Sequence, residues 1–241
     1  MTNGASDGLA IEIKGLVKAF GRTPVLRGLD LDVRWGEVLT VLGPNGSGKT
    51  TLIKVLATLT RPDAGVVRVA GADLLRAGRS VRRVIGVVTH DALLYDHLSA
   101  YENLKFAGRM FRLDHLEDRI VAAADRMGVT GRLHHRVHTL SHGMKKRFSI
   151  ARSLLHDPRI LLMDEPESGL DQEALAMLEE LVLDRTVRRT VLMTTHNLDR
   201  ALALGQRMAI ISRGKIAYEE SLDSVGAESL KETYSRYAEG D

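Results

Sequence analysis

The chain has 241 residues and no cysteine, which excludes disulfide bonds and thiolate metal sites. Lys and Arg number 34 against 31 for Asp and Glu, and this formal charge of +3 is too small to indicate a nucleic-acid partner. Apolar residues make up 44% of the chain, yet no run reaches the ~20 apolar residues that span a bilayer, so we expect one large globular domain of the α/β class.

The N-terminal half of the chain predicts mainly strands. Residues 1–8 carry neither an apolar pattern nor a secretory signal, and we expect them to be a disordered lead. Alternating apolar and polar residues indicate half-buried strands, whereas the continuous apolar run before Gly43 indicates a strand buried on both faces. In chain order we predict strands at 9–20, 25–34 and 38–43, a helix at 51–60, and strands at 66–71 and 84–89.

The C-terminal half alternates helices with strands. The apolar spacing is helical over 99–127, and again from Ser141 until Asp157 and Pro158 stop the helix. Further predicted elements are a strand at 160–164, a helix at 171–187, a strand at 190–195, a helix at 197–205 and a closing hairpin at 207–220. Such alternation indicates a mostly parallel sheet covered by helices on both faces.

Residues 43–50, GPNGSGKT, match the phosphate-loop pattern between a predicted strand and a predicted helix. Glycines let backbone N–H groups turn toward phosphate oxygens, and the helix N-terminus adds a favourable dipole. We expect Lys49 to reach the β- and γ-phosphates and Thr50 to give a hydroxyl to Mg²⁺. The alternative is a glycine-rich turn that matches by chance. The predicted nucleotide-binding residues here are Gly43, Pro44, Asn45, Gly46, Ser47, Gly48, Lys49, Thr50 and Thr51.

Polar side chains end two later strands. Asp164 follows the apolar run ILLM and can hold Mg²⁺, while Glu165, one residue on, can act as general base toward an attacking water. A polar loop is the alternative for this pair. His196 ends the strand TVLMTTH, at the edge where ligands bind in parallel sheets, although a lone histidine is also compatible with a purely structural role.

Six segments, taken in this order, resemble the ATP-binding subunit of ABC transporters. They are Phe20 with GPNGSGKT, GVVTH, LSHGMKKR, ILLMDEP, ESGLD and TTH. The resemblance covers about 9–220. It implies a P-loop NTPase fold of RecA-like type, with a mostly parallel sheet core, an antiparallel β portion and a helical signature subdomain at about 91–155. Residues 221–241 are then expected to be a variable tail.

The resemblance also implies how ATP is held. Phe20 resembles the aromatic residue that stacks on adenine, with a core phenylalanine as the alternative. Ser141 and Gly143 resemble the signature that, with its helix N-terminus, holds the γ-phosphate of ATP bound to a second subunit. Asp171 resembles the loop residue that links the two sites across the dimer. His196 resembles the histidine that contacts the γ-phosphate and holds the attacking water.

Two residues depart from the family pattern. His90 stands where the family usually has a Gln that contacts Mg²⁺ and senses the membrane partner, and an imidazole has a shorter reach. His142 stands where the signature usually has a glycine, and its protonated form would add favourable charge and so make the rate depend on pH. We expect ATPase activity to survive both changes. The expected Mg²⁺ ligands are therefore Thr50, Asp164 and His90.

Three cations follow the signature. Lys145, Lys146 and Arg147 are expected to form mostly a solvated helix face. A dedicated nucleic-acid site is the alternative, and the small net charge argues against it.

The resemblance implies a transport motor. Two ATP molecules join two subunits head to tail, expected to be a homodimer, and hydrolysis powers a separate multispanning permease. The chain is then peripheral at the cytoplasmic face of the inner (plasma) membrane, without a nucleic-acid partner.

The stretch GVVTHDALLYDHLSAYENLKFAGRMFRL is most similar to the heme-exporter ATPase of cytochrome c maturation, so heme export is the expected cargo function. The alternative is the ATPase of another exporter, for drugs, lipids or polysaccharides. Two more distant alternatives are a soluble ABC ATPase of translation or DNA repair and a P-loop kinase. The single phosphate loop, the absence of heptads and the segments LSHGM and SGLD argue against both.

Overall fold

The computed structural model describes residues 8–184, 186–222 and 227–238. The expected disordered lead therefore lies outside the described residues, apart from Gly8. The strands are β1 Leu9–Phe20, β2 Thr23–Arg34, β3 Val38–Leu42, β4 Ala64–Val69, β5 Ala72–Asp73, β6 Ile85–Val88, β7 Ile160–Asp164, β8 Thr190–Thr194, β9 Arg207–Ser212 and β10 Lys215–Ser221. The helices are α1 Lys49–Leu56, α2 Leu74–Val84, α3 Ala100–Phe111, α4 Leu116–Arg126, α5 His142–Leu154, α6 Gln172–Leu183, α7 Leu198–Leu204 and α8 Ala227–Ala238.

The larger sheet has the strand order β10-β9-β3-β8-β7-β6. All its pairs are parallel except β9 with β10, which form the predicted C-terminal hairpin. Its central strands are buried on both faces, because alternate residues enter different cores. In β7, Ile160 and Leu162 pack in one core, whereas Leu161 and Met163 pack in the other. The predicted α/β fold with a mostly parallel sheet is thus confirmed.

The smaller sheet is antiparallel, with the order β2-β1-β4-β5. Its apolar face packs with α1 and with the larger sheet in one core, which includes Ile11, Leu29, Leu52 and Val41. Burying one such side chain contributes roughly 1.5–3 kcal/mol, so this shared core holds α1 firmly between the two sheets. The predicted antiparallel portion is therefore present, and it supports the helix that follows the phosphate loop.

Helices occupy the connection between β6 and β7. Two of the predicted boundaries differ from the structure there. The single helical stretch predicted over 99–127 is two helices, because Arg112 and His115 adopt positive φ angles of 56° and 50°. The polar connection after it holds two 3₁₀ turns, at Thr130–Arg132 and Val137–Thr139. The predicted helical signature portion is otherwise confirmed, with α5 as its last element.

Three other elements differ from the predictions. Helix α2 was not predicted, although Asp73 caps it by accepting from the N–H groups of Leu75 and Arg76. Helix α6 ends at Leu183, earlier than predicted, because Asp184 leaves the helical conformation. The variable tail contains α8, which buries Leu230 against α7 and β9.

Candidate functional site

Four parallel strands of the larger sheet end along one edge. The phosphate loop follows β3, His196 follows β8, Glu165 follows β7 and His90 follows β6. The register pairs Asp164 directly with Thr194 of the neighbouring strand. Because parallel strands end on the same side, the predicted polar residues meet at one crevice, where such sheets bind ligands.

The phosphate loop is built largely by its own residues. Gly48 starts α1 with φ of +113°, a conformation that a side chain disfavours, and an added Cβ there would lie 2.7 Å from the Leu26 side chain. The buried Lys49 ammonium donates to the carbonyls of Gly43, at 2.6 Å, and Pro44, at 3.0 Å. Burial lowers the pKa of Lys49, and the charges of Glu165 and Asp164 oppose that shift.

This loop fits a bound phosphate. The hydroxyl of Ser47 is buried without a hydrogen-bond partner among the described residues. No side-chain oxygen caps the N-terminus of α1 either, so its first N–H groups lack the usual acceptor. An anion at this helix end supplies the missing acceptors. Thr50 is exposed at the same end, whereas Thr51 is half-buried.

Asp164 is fixed by its neighbour strand. Its side chain is only 1% exposed, and its Oδ1 accepts a hydrogen bond of 2.7 Å from the Thr194 hydroxyl. This bond orients the carboxylate at the end of β7 without neutralising it. Thr194 was not predicted as a site residue, although it ends the apolar strand that pairs with β7.

Glu165 and His196 lie together at the crevice. The Glu165 carboxylate is 3.4 Å from Nδ1 of His196, whose ring is largely exposed. The backbone of Glu165 has a positive φ of 45°, and its N–H donates to the Thr194 carbonyl at 3.1 Å. The left-handed backbone of Glu165 therefore ends the extended conformation of β7 directly after Asp164.

A second polar pair beside the crevice was missed by sequence reasoning. The Thr195 hydroxyl donates to one carboxylate oxygen of Glu167, and the other oxygen is buried without a partner among the described residues. Both residues lie inside segments that the sequence analysis quotes, ESGLD and TTH, but it assigned no role to either side chain.

The signature begins α5 as predicted. The Ser141 hydroxyl accepts from the N–H of Met144 and so caps the helix, and Ser141 and His142 are exposed. Among the described residues, no hydrogen bond or ion pair joins residues 141–143 to the phosphate loop 43–51 of the same chain.

The residues after Glu167 lie against the start of α5. Gly169 has φ of +76°, and a Cβ added to it would meet the His142 ring at 2.3 Å. A Cβ on Gly143 would lie 2.9 Å from the Gly169 carbonyl oxygen. The ring of His142 also lies near that of His90, with centroids 6.5 Å apart. The two histidines that depart from the family pattern are thus neighbours.

Asp171 is engaged within its own chain. Its carboxylate caps α6 by accepting from the N–H of Ala174 at 2.9 Å, and it also pairs with Arg147 of α5. These two contacts lower the pKa of Asp171, the capping bond being the larger cause. Arg147 reaches Glu173 as well, at 3.3 Å. Asp171 therefore ties α5 to α6, in addition to any contact across a dimer.

The expectation of a solvated face after the signature is wrong for two of three cations. Lys146 is 2% exposed and Arg147 is 7% exposed, because α5 is packed on nearly all sides. Lys145 alone is partly exposed, and it pairs with Asp96 at 3.3 Å. A buried ammonium needs acceptors, and Lys146 finds them in the carbonyls of Thr89, at 3.0 Å, and Glu165, at 3.3 Å.

Phe20 and His90 are both exposed at the surface. Phe20 is 52% exposed at the end of β1, which excludes the alternative of a core phenylalanine. The ammonium of Lys18 lies 5.3 Å from its ring centroid. One face of the ring therefore contacts a cation, and about half of the residue remains exposed.

Comparison with known proteins places the chain in a family. Residues 26–168 match the family model described as ABC transporter, which covers more than half of the chain. The chain is 39% identical over 227 residues to the daunorubicin resistance ATP-binding protein DrrA3 of Streptomyces coeruleorubidus, covering 91% of this chain and 71% of that protein. It is 35% identical over 210 residues to the Nod factor export ATP-binding protein I of Rhizobium meliloti, covering 86% of this chain and 63% of that protein.

A solved structure extends the likeness to the fold. The dimeric post-hydrolysis state of the ATP-binding cassette MJ0796, bound to ADP and Pi, superposes with a TM-score of 0.79 at 26% identity, over 88% of this chain and 98% of that one. No helix among the described residues is long and apolar enough to cross a bilayer. The chain therefore belongs to the ABC transporter family as an ATP-binding subunit with ATPase chemistry.

Proposed function

We propose that two copies of this chain close head to tail around two ATP molecules and drive a separate permease at the cytoplasmic face of the plasma membrane. One observation carries the proposal. The phosphate loop lies at the crevice, whereas the capped N-terminus of α5 is exposed and, within the described part of the chain, makes no hydrogen bond or ion pair with that loop. A second copy can bring its α5 to the γ-phosphate held by the first, which gives each ATP two helix N-termini.

The loop geometry supports a specific mode of ATP binding. Backbone N–H groups and the Ser47 hydroxyl bind the phosphate oxygens, and Lys49 exchanges its carbonyl partners for the β- and γ-phosphates. Phe20 stacks on the base. Thr50, Asp164 and His90 would hold Mg²⁺, which neutralises charge that develops on the phosphates.

Hydrolysis uses the pair at the ends of β7 and β8. The Glu165 carboxylate orients the attacking water and accepts its proton, and His196 donates a hydrogen bond to the γ-phosphate. The phosphoryl group then moves from the β-phosphate bridging oxygen to the water oxygen, in line. Ser141 and Gly143 of the second copy stabilise the charge on the transferred group.

The decisive experiment measures assembly with Glu165→Gln, which keeps the site's shape but removes the base. With ATP, this variant should accumulate as a dimer holding two nucleotides, by light scattering coupled to size exclusion. Without nucleotide, it should remain a monomer.

A matched pair of serines tests the head-to-tail geometry. Ser141 and Ser99 both cap helices of the same segment, α5 and α3. Adding Ser141→Arg to Glu165→Gln should block the dimer, whereas adding Ser99→Arg should not. A Glu165→Gln chain that stays monomeric with saturating ATP would contradict the sandwich.

We propose that the permease binds an apolar groove, which lies between α2 and the helices that follow β6. Its exposed apolar side chains are Leu59, Leu93, Tyr95, Phe106 and Met110. Among the described residues, no acidic side chain lines the groove. Five arginines line it, and they are Arg79, Arg82, Arg83, Arg112 and Arg152. A cytoplasmic segment of the permease with apolar and acidic side chains complements this surface.

Two equally exposed apolar residues test the groove. Phe106→Glu places a charge on its apolar floor, and Val121→Glu places the same charge on α4 outside it. Only Phe106→Glu should release the protein from the membrane fraction of cells that express it at native level. Equal membrane recovery of both variants would place the permease contact elsewhere.

For cargo, we propose export of amphipathic organic compounds rather than heme. The relatives above are named for daunorubicin resistance and Nod factor export, which favours the exporter alternative over the expected heme export. Deleting the gene should increase sensitivity to anthracycline-type drugs while c-type cytochromes keep covalent heme. Loss of heme staining in those cytochromes, with unchanged drug sensitivity, would instead favour heme export.

A further inference from the structure

The buried Lys146 has no role in the hydrolysis proposed above. Its side chain lies on α5, the helix that carries the signature, and it is nearly inaccessible to solvent. Burial lowers the pKa of Lys146, while the nearby carboxylates of Asp164 and Glu167 oppose that shift. The described residues provide no carboxylate within ion-pair distance of its ammonium. A desolvated cation is thus placed where only two backbone carbonyls receive its hydrogen bonds.

One of these carbonyls belongs to Glu165, the proposed general base. Glu165 has a left-handed backbone, which a non-glycine residue keeps only when its surroundings enforce it. Its N–H is held by the Thr194 carbonyl of β8, and its carbonyl accepts both from the N–H of Ser168, at 3.2 Å, and from Lys146 of α5, at 3.3 Å. The peptide groups on both sides of the residue are therefore anchored, and the carboxylate direction depends on both anchors.

The other carbonyl belongs to Thr89, the residue before His90. The same ammonium therefore joins the strand end that leads to His90 to the backbone of Glu165. Because Lys146 lies on the same helix as the signature, about 1.4 turns after Ser141, any shift of this helix relative to the sheet moves the ammonium with it. The orientation of Glu165 is thereby coupled to the position of α5.

We propose that Lys146 is a positioning residue for ATP hydrolysis, holding Glu165 in its left-handed conformation so that the carboxylate is aimed only when the signature helix is in place. The proposal rests on the role proposed above for Glu165. It makes Lys146 an indirect participant, since the ammonium contacts the backbone of the base and not the substrate.

The first test compares two adjacent lysines. Lys146→Met keeps the length of the side chain without a donor, and Lys145→Met makes the same change at the surface, where only the pair with Asp96 is lost. Lys146→Met should lower kcat by roughly 10–100-fold, the cost of a misaligned catalytic group. The KM for ATP should stay within about two-fold, because the phosphate loop is untouched. Lys145→Met should keep the kcat of the parent chain.

Partial rescue separates positioning from filling of space. Lys146→Gln offers an amide that donates to a carbonyl, so it should recover part of the kcat lost in Lys146→Met. Equal kcat losses in the two variants would overturn the positioning role. Far-UV circular dichroism and ATP affinity establish that each variant is folded, and the experiments below use Lys146→Gln if the methionine variant does not fold.

A double-variant cycle identifies the residue through which Lys146 acts. If it acts through the Glu165 carboxylate, adding Lys146→Met to Glu165→Gln should lower the residual rate no further. If the rate losses of the two single variants multiply in the double variant, the inference is overturned. A wild-type rate in Glu165→Gln alone would instead overturn the role proposed for Glu165, and the Lys146→Met measurement would then stand as a separate result.

Discussion

Two helix N-termini of this protein suit the same ligand, phosphate, but they are built differently. The loop before α1 makes its contacts locally, since Lys49 bonds to Gly43 and Pro44, six and five residues away. The start of α5 is held by distant residues, since Lys146 bonds to Thr89, 57 residues before it. The first site is therefore a property of one short segment, and the second depends on how the helical segment sits against the sheet.

This difference separates binding from hydrolysis. Changes in the loop before α1 should act on the affinity for ATP in a single chain. Changes at α5 should leave that affinity unchanged and act on assembly or on turnover, because in the proposed dimer the helix contacts only the nucleotide held by the other copy. Each prediction below tests one side of this division.

The largest effect is expected from Lys49→Met. It removes the only ammonium of the phosphate loop, so ATP affinity and turnover should each fall by about 100-fold or more. Lys54→Met is the control, because Lys54 is an exposed lysine on the same helix. Equilibrium binding of ATP to the monomer measures the first quantity. Unchanged ATP affinity in Lys49→Met would contradict the prediction that the loop before α1 determines how tightly a single chain binds ATP.

A smaller effect is expected from Ser141→Ala. It should leave ATP binding to the monomer unchanged but weaken the ATP-bound dimer of the Glu165→Gln chain by roughly ten-fold for each of its two sites, because each site loses one charge-assisted hydrogen bond. Ser99→Ala removes a comparable cap from α3, which costs about 1 kcal/mol of helix stability, and should leave the dimer unaffected. Dimer dissociation constants are measured by sedimentation. Equal weakening by both substitutions would mean that Ser141 acts only as a cap.

Gly143→Ala tests the contact between α5 and the segment after β7. The new methyl would lie 2.9 Å from the Gly169 carbonyl oxygen, so the two segments must separate slightly. We expect hydrolysis to slow by roughly three- to ten-fold, as expected for a small displacement of catalytic groups, with unchanged ATP affinity. Gly131→Ala is the matched control, since nothing lies within 4 Å of its added methyl. An unchanged rate in Gly143→Ala would show that this contact tolerates movement.

The same division explains which features the sequence predicts. The strands β3, β7 and β8 and the loop before α1 follow from local patterns, because a continuous apolar run, glycines and a helix start lie within a few residues of one another. The acids at the end of β7 could be placed at the crevice for the same reason. The alignment of these strand ends then follows from parallel pairing alone.

Features set by distant contacts were missed. The KKR run of α5 looks polar, so Lys146 and Arg147 were expected at the surface, but helices and strands surround that part of α5. Lys146 does share a helix face with Ile150 and Ser153, and that spacing was the available signal of burial. Helix α2 was missed because Gly78 and four arginines mask its pattern, and only its Asp73 cap indicated a helix.

The smallest effect concerns the other end of α5, which also depends on distant residues. His156 donates from Nε2 to the Ile85 carbonyl at 2.9 Å, and its ring stacks on Phe111. Burial lowers the pKa of His156 below the ordinary value, so the folded protein keeps the ring neutral. Below the unfolded pKa of about 6.5, the unfolded chain binds a proton that the folded chain does not, and the free energy of unfolding falls as pH decreases.

His156→Gln keeps a donor for the Ile85 carbonyl but does not titrate. Between pH 7.5 and 5.5 it should lose less stability than the parent chain, by on the order of 1 kcal/mol. His97→Gln, at an exposed histidine, should keep the parent pH dependence. Urea unfolding at the two pH values measures this difference. If the free energy of unfolding of His156→Gln falls with pH as much as that of the parent chain, the neutral His156 ring does not stabilise this end of α5. The distant contacts of α5 would then matter only at the signature end.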